Sequence, residues 1–204
     1  PELGAVKTRL ALPPAKAAAL HRAFVSDVVN ATMGFWQQVL WATDESHPFF
    51  TQFDQPLRRQ RGIDLGERMA YAFRESLVQY ERVVVIGTDA PHLPACLIRD
   101  AFNALKFHDV VIGPSCDGGY YLLGLKRFLP DLFEPRMGWS GADVFSRTLA
   151  VLRDAQITPH ILPFWFDVDR PEDLRRLAVW PSNGQLAQTK PLLSDVDLFV
   201  DEDS

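Results

Sequence analysis

The sequence predicts an α/β chain, a single domain with a mostly parallel, twisted sheet and helices on both faces. Three observations carry this expectation. Apolar runs rich in β-branched residues alternate with stretches of helical period, as in a sheet covered on both sides. Three of those runs, 83–86, 110–112 and 161–166, each lead into an acidic signature, so the acids fall at strand ends, where α/β sheets bind ligands. The 204 residues, 47% of them apolar, suffice for one sizeable core and fall short of two comfortable domains.

The elements follow in order. The opening to Leu10 is polar, with Pro1 and Gly4, and reads as a loop entering a turn. Residues 15–32 have helical period, with Ala19, Leu20, Ala23, Phe24 and Val28 on one face. Residues 35–42 read as a strand interrupted by Gln37 and Gln38, and 44–56 as a loop. Helical period returns over 64–80; Asp64 is placed to cap it and Glu67 to complete a capping box. A strand is expected at 83–87 and a helix from Pro94 to about Phe107. Strands at 109–113 and 120–125 flank an Asp-Gly-Gly turn, a close pair that can be antiparallel. The runs 83–87 and 109–113 are expected to be neighbours, joined by a right-handed crossover through the helix. Residues 130–135 are irregular. Ser140 can cap a helix over 141–153, 158–166 reads as the last strand and 171–177 as the last helix.

The domain is expected to span 1–179, leaving 180–204 as an acidic tail. Five acids lie in the last ten residues, while the remainder balances, for a net charge of −5. Such a tail is expected to be mobile or to pack peripherally, although Leu192, Leu193, Leu198 and Phe199 leave room for docking. A sheet of this kind ordinarily opens with a strand. Here the chain opens in the loop, so the first strand is expected to be missing from it.

Composition excludes several classes. No basic footprint of a nucleic-acid binder is present, and no apolar run approaches the ~20 residues that span a bilayer. Neither nucleic acid nor membrane is expected as a partner. Cys96 and Cys116 belong to no CxxC pair or Cys/His cluster, and no signal peptide is seen, so a cytoplasmic location is expected. Cys116 reads as a small residue near a strand end; no His neighbours it in sequence to lower its pKa.

The remaining motifs carry chemistry, each with a plainer rival. In Gly4-Ala5-Val6-Lys7-Thr8-Arg9, a glycine and two cations before a helix suit an anion, or form a solvated basic turn. Asp89, in Gly87-Thr88-Asp89-Ala90-Pro91, can meet a metal or serve as a turn former. Asp117-Gly118-Gly119 can clear space for a ligand or simply make a tight turn. Asp167-Val168-Asp169 resembles a DxD metal site; alternatively Asp169 caps the helix at Pro171. Gly66, inside Gln60-Arg61-Gly62-Ile63-Asp64-Leu65-Gly66, weakens its helix and admits either a nucleotide or a tightly packed neighbour. Hard oxygen ligands at one sheet edge suit Mg²⁺ or Mn²⁺ shared with substrate phosphates.

In this order, P-x-x-G-x-V-K-T-R-L, Q-x-G-x-D-L-G-E-R-M, G-T-D-x-P-x-L, G-P-x-x-D-G-G-Y-Y-L-L-G-L, W-S and D-V-D-x-P-E-D-L resemble the bacterial arsenosugar-biosynthesis-type glycosyltransferases, also called radical-SAM/selenodomain-associated transferases. That family is similar to the 2-phospholactate guanylyltransferases, and both have the Rossmann-like GT-A fold of nucleotide-diphospho-sugar transferases. The resemblance covers residues 1 to about 178; Ser140-Gly141 departs from the usual W-S-T. It implies a nucleotide site at Gly4, Lys7, Arg9, Gln60, Gly62 and Gly66, and metal at Asp89 with Asp167 or Asp169. Lys7, Arg9 and Asp117 would be catalytic, with Asp117, Gly118, Gly119 and Trp139 facing the sugar or acceptor.

The expected activity is metal-dependent transfer of a sugar from a nucleotide-diphosphate sugar to a small acceptor. Lys7 and Arg9 would neutralise charge growing on the leaving phosphate. Nucleotidyl transfer to a phosphorylated small molecule is the alternative, and a non-catalytic nucleotide-binding homologue the third.

Overall fold

The computed structural model describes residues 6–134, 137–139, 141–181 and 184–194. In chain order the helices and strands are α1 (Pro14–Thr32), β1 (Leu40–Ala42), β2 (Leu57–Arg59), α2 (Leu65–Leu77), β3 (Val83–Ile86), α3 (Ala95–Ala104), β4 (Val110–Pro114), β5 (Tyr120–Leu125), α4 (Val144–Asp154), β6 (His160–Ile161), α5 (Pro171–Ala178) and α6 (Thr189–Ser194). Short 3-10 turns occupy Thr8–Leu10, Pro48–Gln52 and Pro130–Phe133. The chain forms two compact units. One comprises Pro1–Gln37, Thr88–Pro94 and Phe166–Ser204, the other Gln38–Gly87 and Ala95–Trp165.

The second unit holds both sheets. Its larger sheet has the order β3-β5-β4-β6. Strand β5 runs antiparallel to β3 and to β4, and β6 runs parallel to β4, so β3, β4 and β6 share one direction. The expected adjacency of 83–87 and 109–113 is thereby corrected: both lie in one sheet, with β5 between them. The short Asp-Gly-Gly connection makes β5 fold straight back on β4, because closing a short loop costs little entropy. Its far edge then receives β3, Val83 opposite Leu125 and Ile86 opposite Leu122. Strand β4 is buried throughout, and β5 beyond Tyr120, as strands covered on both faces require.

Two expected strands are shorter than their apolar runs. Only His160–Ile161 of 158–166 forms a strand, paired with Val111 and Ile112. Pro163 has no N–H to give a ladder, and the chain rejoins the sheet at Trp165, whose N–H donates to the Pro114 carbonyl at 3.1 Å. Of 35–42 only Leu40–Ala42 is strand; a turn with Gly34 at φ 83° precedes it, and β1 pairs in parallel with β2. Helix α4 starts at Val144 behind Asp143, later than expected; Ser140 lies outside the described residues. Asp64 caps α2 through the Glu67 N–H at 2.8 Å, and the Glu67 carboxylate reaches back to the Ile63 N–H at 2.9 Å.

In the first unit the core joins Leu20 and Phe24 of α1, Phe166 and Val168, Leu174 and Leu177 of α5, and Leu186 and Leu193. The expectation of a mobile or peripheral segment beyond about residue 182 is corrected for 184–194. Its apolar positions match the spacing of a docked helix, and Asp27 of α1, 1% exposed, receives the N–H groups of Gln188 and Thr189. The acidic residues 195–204 lie outside the described residues.

Candidate functional site

Three segments of the first unit meet at Lys7. Its ammonium donates to the Val168 carbonyl at 2.7 Å and to Asp169 Oδ1 at 3.0 Å, and pairs with Asp89 Oδ1 at 2.8 Å. The Lys7 side chain is 4% exposed. A backbone bond from Val168 N–H to the Asp89 carbonyl, 2.8 Å, ties the two acidic segments directly. Arg9, 67% exposed, bonds Asp169 Oδ2 through Nη2. These groups line a pocket of about 280 Å³ with Val6, Thr8 and His21.

Local structure explains the placement. Lys7 adopts a left-handed backbone, φ 52° and ψ 35°, ahead of the Thr8–Leu10 turn, and Ala11 does the same behind it. Leu10 drops into the core between them. These two bends present Lys7 and Arg9 on the side facing the acids. At the other end Pro171 opens α5, and the Asp173 carboxylate accepts from the N–H groups of Asp169 and Arg170 at 3.1 and 2.9 Å. Asp169 is therefore not the cap of α5; Asp173 does that work, and the Asp169 carboxylate is committed to Lys7 and Arg9. Asp167 is half-buried between the buried Phe166 and Val168.

His21, on α1, was not singled out by its sequence context. It stands one turn before Phe24, whose ring lies 5.3 Å from the Lys7 ammonium, a proximity that no local pattern carries. Burial lowers its pKa, the Asp89 carboxylate opposes that shift, and the Lys7 charge adds to it.

The other predicted residues among those described belong to the second unit. Gln60 donates to the Trp41 carbonyl at 3.0 Å and its N–H to the Ala42 carbonyl at 2.8 Å, bracing the small sheet. The Gly62 carbonyl accepts from Arg68 Nε at 3.2 Å. Gly66 abuts the Trp139 ring: a Cβ there would lie 2.1 Å from Trp139 Nε1, so packing accounts for this glycine. Asp117 closes its own turn, accepting from Ser115 Oγ and, at 3.0 Å, from the Gly119 N–H. Gly118, at φ 91°, presses its backbone against Ala142, where a Cβ would meet the carbonyl at 1.8 Å. Gly4 lies outside the described residues. A further pocket of about 360 Å³, near Asp131, Met137 and Arg147, holds none of the residues singled out above, and its Arg147 is paired with Asp143. The converging charges make the Lys7 pocket the candidate site.

Among the described residues no three His, Cys, Asp or Glu side chains form a metal-binding group. Two carboxylates meeting one cation, Asp89 and Asp169 at Lys7, still suit Mg²⁺ or Mn²⁺, which commonly take one or two carboxylates and complete their shell with water and substrate phosphates. No described helix is long and apolar enough to cross a membrane.

Known proteins bear on this geometry. A crystal structure from Desulfovibrio desulfuricans G20, provisionally assigned as a nucleotide-diphospho-sugar transferase, superposes with a TM-score of 0.87 at 35% identity, covering 95% of this chain and 90% of that one. The chain therefore has the α/β fold of nucleotide-diphospho-sugar transferases. A molybdopterin-guanine dinucleotide biosynthesis protein A from Archaeoglobus fulgidus shares the fold at 14% identity, with a TM-score of 0.51 over 95% of this chain and 97% of that one. In sequence, the chain is 28% identical over 148 residues to a 2-phospho-L-lactate guanylyltransferase of Methanocaldococcus vulcanius, covering 70% of this chain and only 62% of that relative. With residues 10–141 matched by its family model, the chain belongs to the family described as uncharacterized protein conserved in bacteria, DUF2064.

Proposed function

We propose that the chain is a nucleotide-utilising transferase that moves a sugar from a nucleotide-diphosphate sugar to a small acceptor. The observation that carries this is the pocket in which Lys7, Arg9, Asp89 and Asp169 converge. Its exposed cation suits a diphosphate, and its carboxylate pair suits the divalent ion that accompanies one. The 35% identity to the Desulfovibrio protein, over nearly the whole of both chains, supports the class of substrate.

In sugar transfer the acceptor hydroxyl attacks the anomeric carbon and gives up its proton to solvent. The carbon–oxygen bond to the diphosphate breaks, and the leaving nucleotide keeps the electron pair. Negative charge grows on the phosphate that departs. Arg9 would meet it: one nitrogen holds Asp169, its side chain is two-thirds exposed, and a guanidinium has further donors to offer. Mg²⁺ or Mn²⁺ bound by Asp89 and Asp169, with Asp167 adjoining, would supply further neutralisation of the diphosphate.

The guanylyltransferase relative favours a second reading, nucleotidyl transfer. There a phosphate oxygen of the acceptor attacks the α-phosphorus of a nucleoside triphosphate and pyrophosphate leaves, with the same charges in play. Thermal shift with GTP, GDP, UDP-glucose and GDP-mannose, each with and without Mn²⁺, tests the shared claim. A rise in Tm with at least one nucleotide is expected; no response to any of them sinks it. Phosphorus NMR of turnover mixtures then separates the readings, through release of nucleoside diphosphate or of pyrophosphate.

A further inference from the structure

The arrangement of Lys7 sets a condition on the pocket. An ammonium has three N–H donors. Lys7 donates to the Val168 carbonyl and Asp169 Oδ1 at 2.7 and 3.0 Å, and its charge pairs with Asp89 Oδ1 at 2.8 Å. These three partners crowd the ammonium, and at 4% exposure its side chain has little contact with solvent. In this arrangement the Lys7 charge is already committed to two carboxylates and is turned away from a substrate phosphate. Its left-handed backbone, φ 52°, is one that residues other than glycine avoid and keep only where the surroundings hold them.

The same contacts oppose a simple addition of metal. Asp89 and Asp169 already share one positive charge, and Arg9 brings a second to Asp169. A divalent cation set between these carboxylates with the ammonium in place would bring like charges to contact distance. An ammonium that leaves the pair, in turn, loses two ionic partners and needs another anion. A nucleotide phosphate is such an anion.

We propose that Lys7 is the resting counter-ion of Asp89 and Asp169. It leaves the carboxylate pair as a divalent cation binds there, and the freed ammonium then turns to the nucleotide phosphate. This rests on the proposed nucleotide site and deepens it: metal and nucleotide bind cooperatively, because the phosphate replaces the acceptors Lys7 gives up.

Mn²⁺ binding without nucleotide, read from the electron paramagnetic resonance of free Mn²⁺, tests the exchange in the parent chain and in Lys7→Gln. The variant keeps a polar side chain and removes the competing charge. At least tenfold tighter Mn²⁺ binding by Lys7→Gln is expected. Equal affinity in the two proteins, weaker binding by the variant, or no binding by either overturns the proposal. Should the variant fail to fold, the parent chain answers alone through amine labelling with acetic anhydride and peptide mapping. Lys7 is expected to be protected without metal and to react at least fivefold faster at saturating Mn²⁺; unchanged labelling at saturation overturns the exchange. If Mn²⁺ behaves as expected but no nucleotide binds, the exchange stands and the nucleotide reading of the pocket fails.

Discussion

Asp27 and Thr189 stand 162 positions apart and share a buried hydrogen bond, Thr189 N–H to Asp27 Oδ2 at 2.9 Å. The neighbouring Gln188 N–H fills the other carboxylate oxygen at the same distance. One side chain of α1 thus satisfies the amides that open α6. Asp27→Ala would leave both without a protein acceptor, at a cost of about 2–4 kcal/mol for two charge-assisted bonds. The urea midpoint should fall accordingly; a loss below about 0.5 kcal/mol would show that α6 contributes little.

A methyl at position 66 has nowhere to go. Gly66→Ala should destabilise the protein by about 1–3 kcal/mol through overpacking against Trp139, outweighing alanine's better helix propensity. Combining it with Trp139→Phe, which removes the indole edge, should cost less than the two single changes added. Chemical denaturation of the four proteins in this cycle checks both statements, and a stabilised Gly66→Ala would contradict the contact.

Acid should weaken the fold through His92. This side chain is buried against Phe166 and Trp180, with ring centroids 4.1 and 5.0 Å away, and burial lowers its pKa to about 3, with Arg176 adding to the shift. The folded value lies below the ordinary one of about 6.5. The unfolded chain therefore takes up the proton first as pH falls. Stability from this group is complete above pH ~6.5 and is lost on going down toward pH 3, at up to ~1.4 kcal/mol per pH unit. His92→Phe should flatten the curve between pH 6.5 and 5; an unchanged slope would mean that His92 is not the group responsible.

Arg9→Ala should separate binding from stability. With two-thirds of the Arg9 side chain exposed, the melting temperature should stay within a degree or two, on the order expected of a surface ion pair. Nucleotide affinity should fall roughly 10- to 100-fold, the loss of a charge-assisted contact to phosphate. Isothermal titration decides the matter, and unchanged affinity removes Arg9 from the site.

Much of the local structure was legible in the residues. The run Val83–Ile86, the Asp64 cap of α2 and the start of α5 at Pro171 stand close to where pattern and capping chemistry put them. Pairing was harder. Nothing in the composition of Tyr120–Leu125 says that its second edge receives β3 rather than solvent, because partner choice is settled by packing. The stretch 184–194 was obscured by the acids that follow it: its buried Leu186 and Leu193 make too short a pattern to fix a docked segment. At the site, Lys7, Asp89 and Asp169 were each conspicuous. That one ammonium serves two carboxylates and a carbonyl is a relation across 161 and 162 positions, which no local pattern carries.

Strand β6 is an outer strand of its sheet, and it is two residues long, with Pro159 before it and Pro163 just beyond. Neither proline can donate to a new neighbour, and two residues offer too short a template for a foreign segment to zip onto. That border of the sheet thereby offers another chain little to pair with, which lowers the hazard of an apolar run rich in aromatic residues at 161–166.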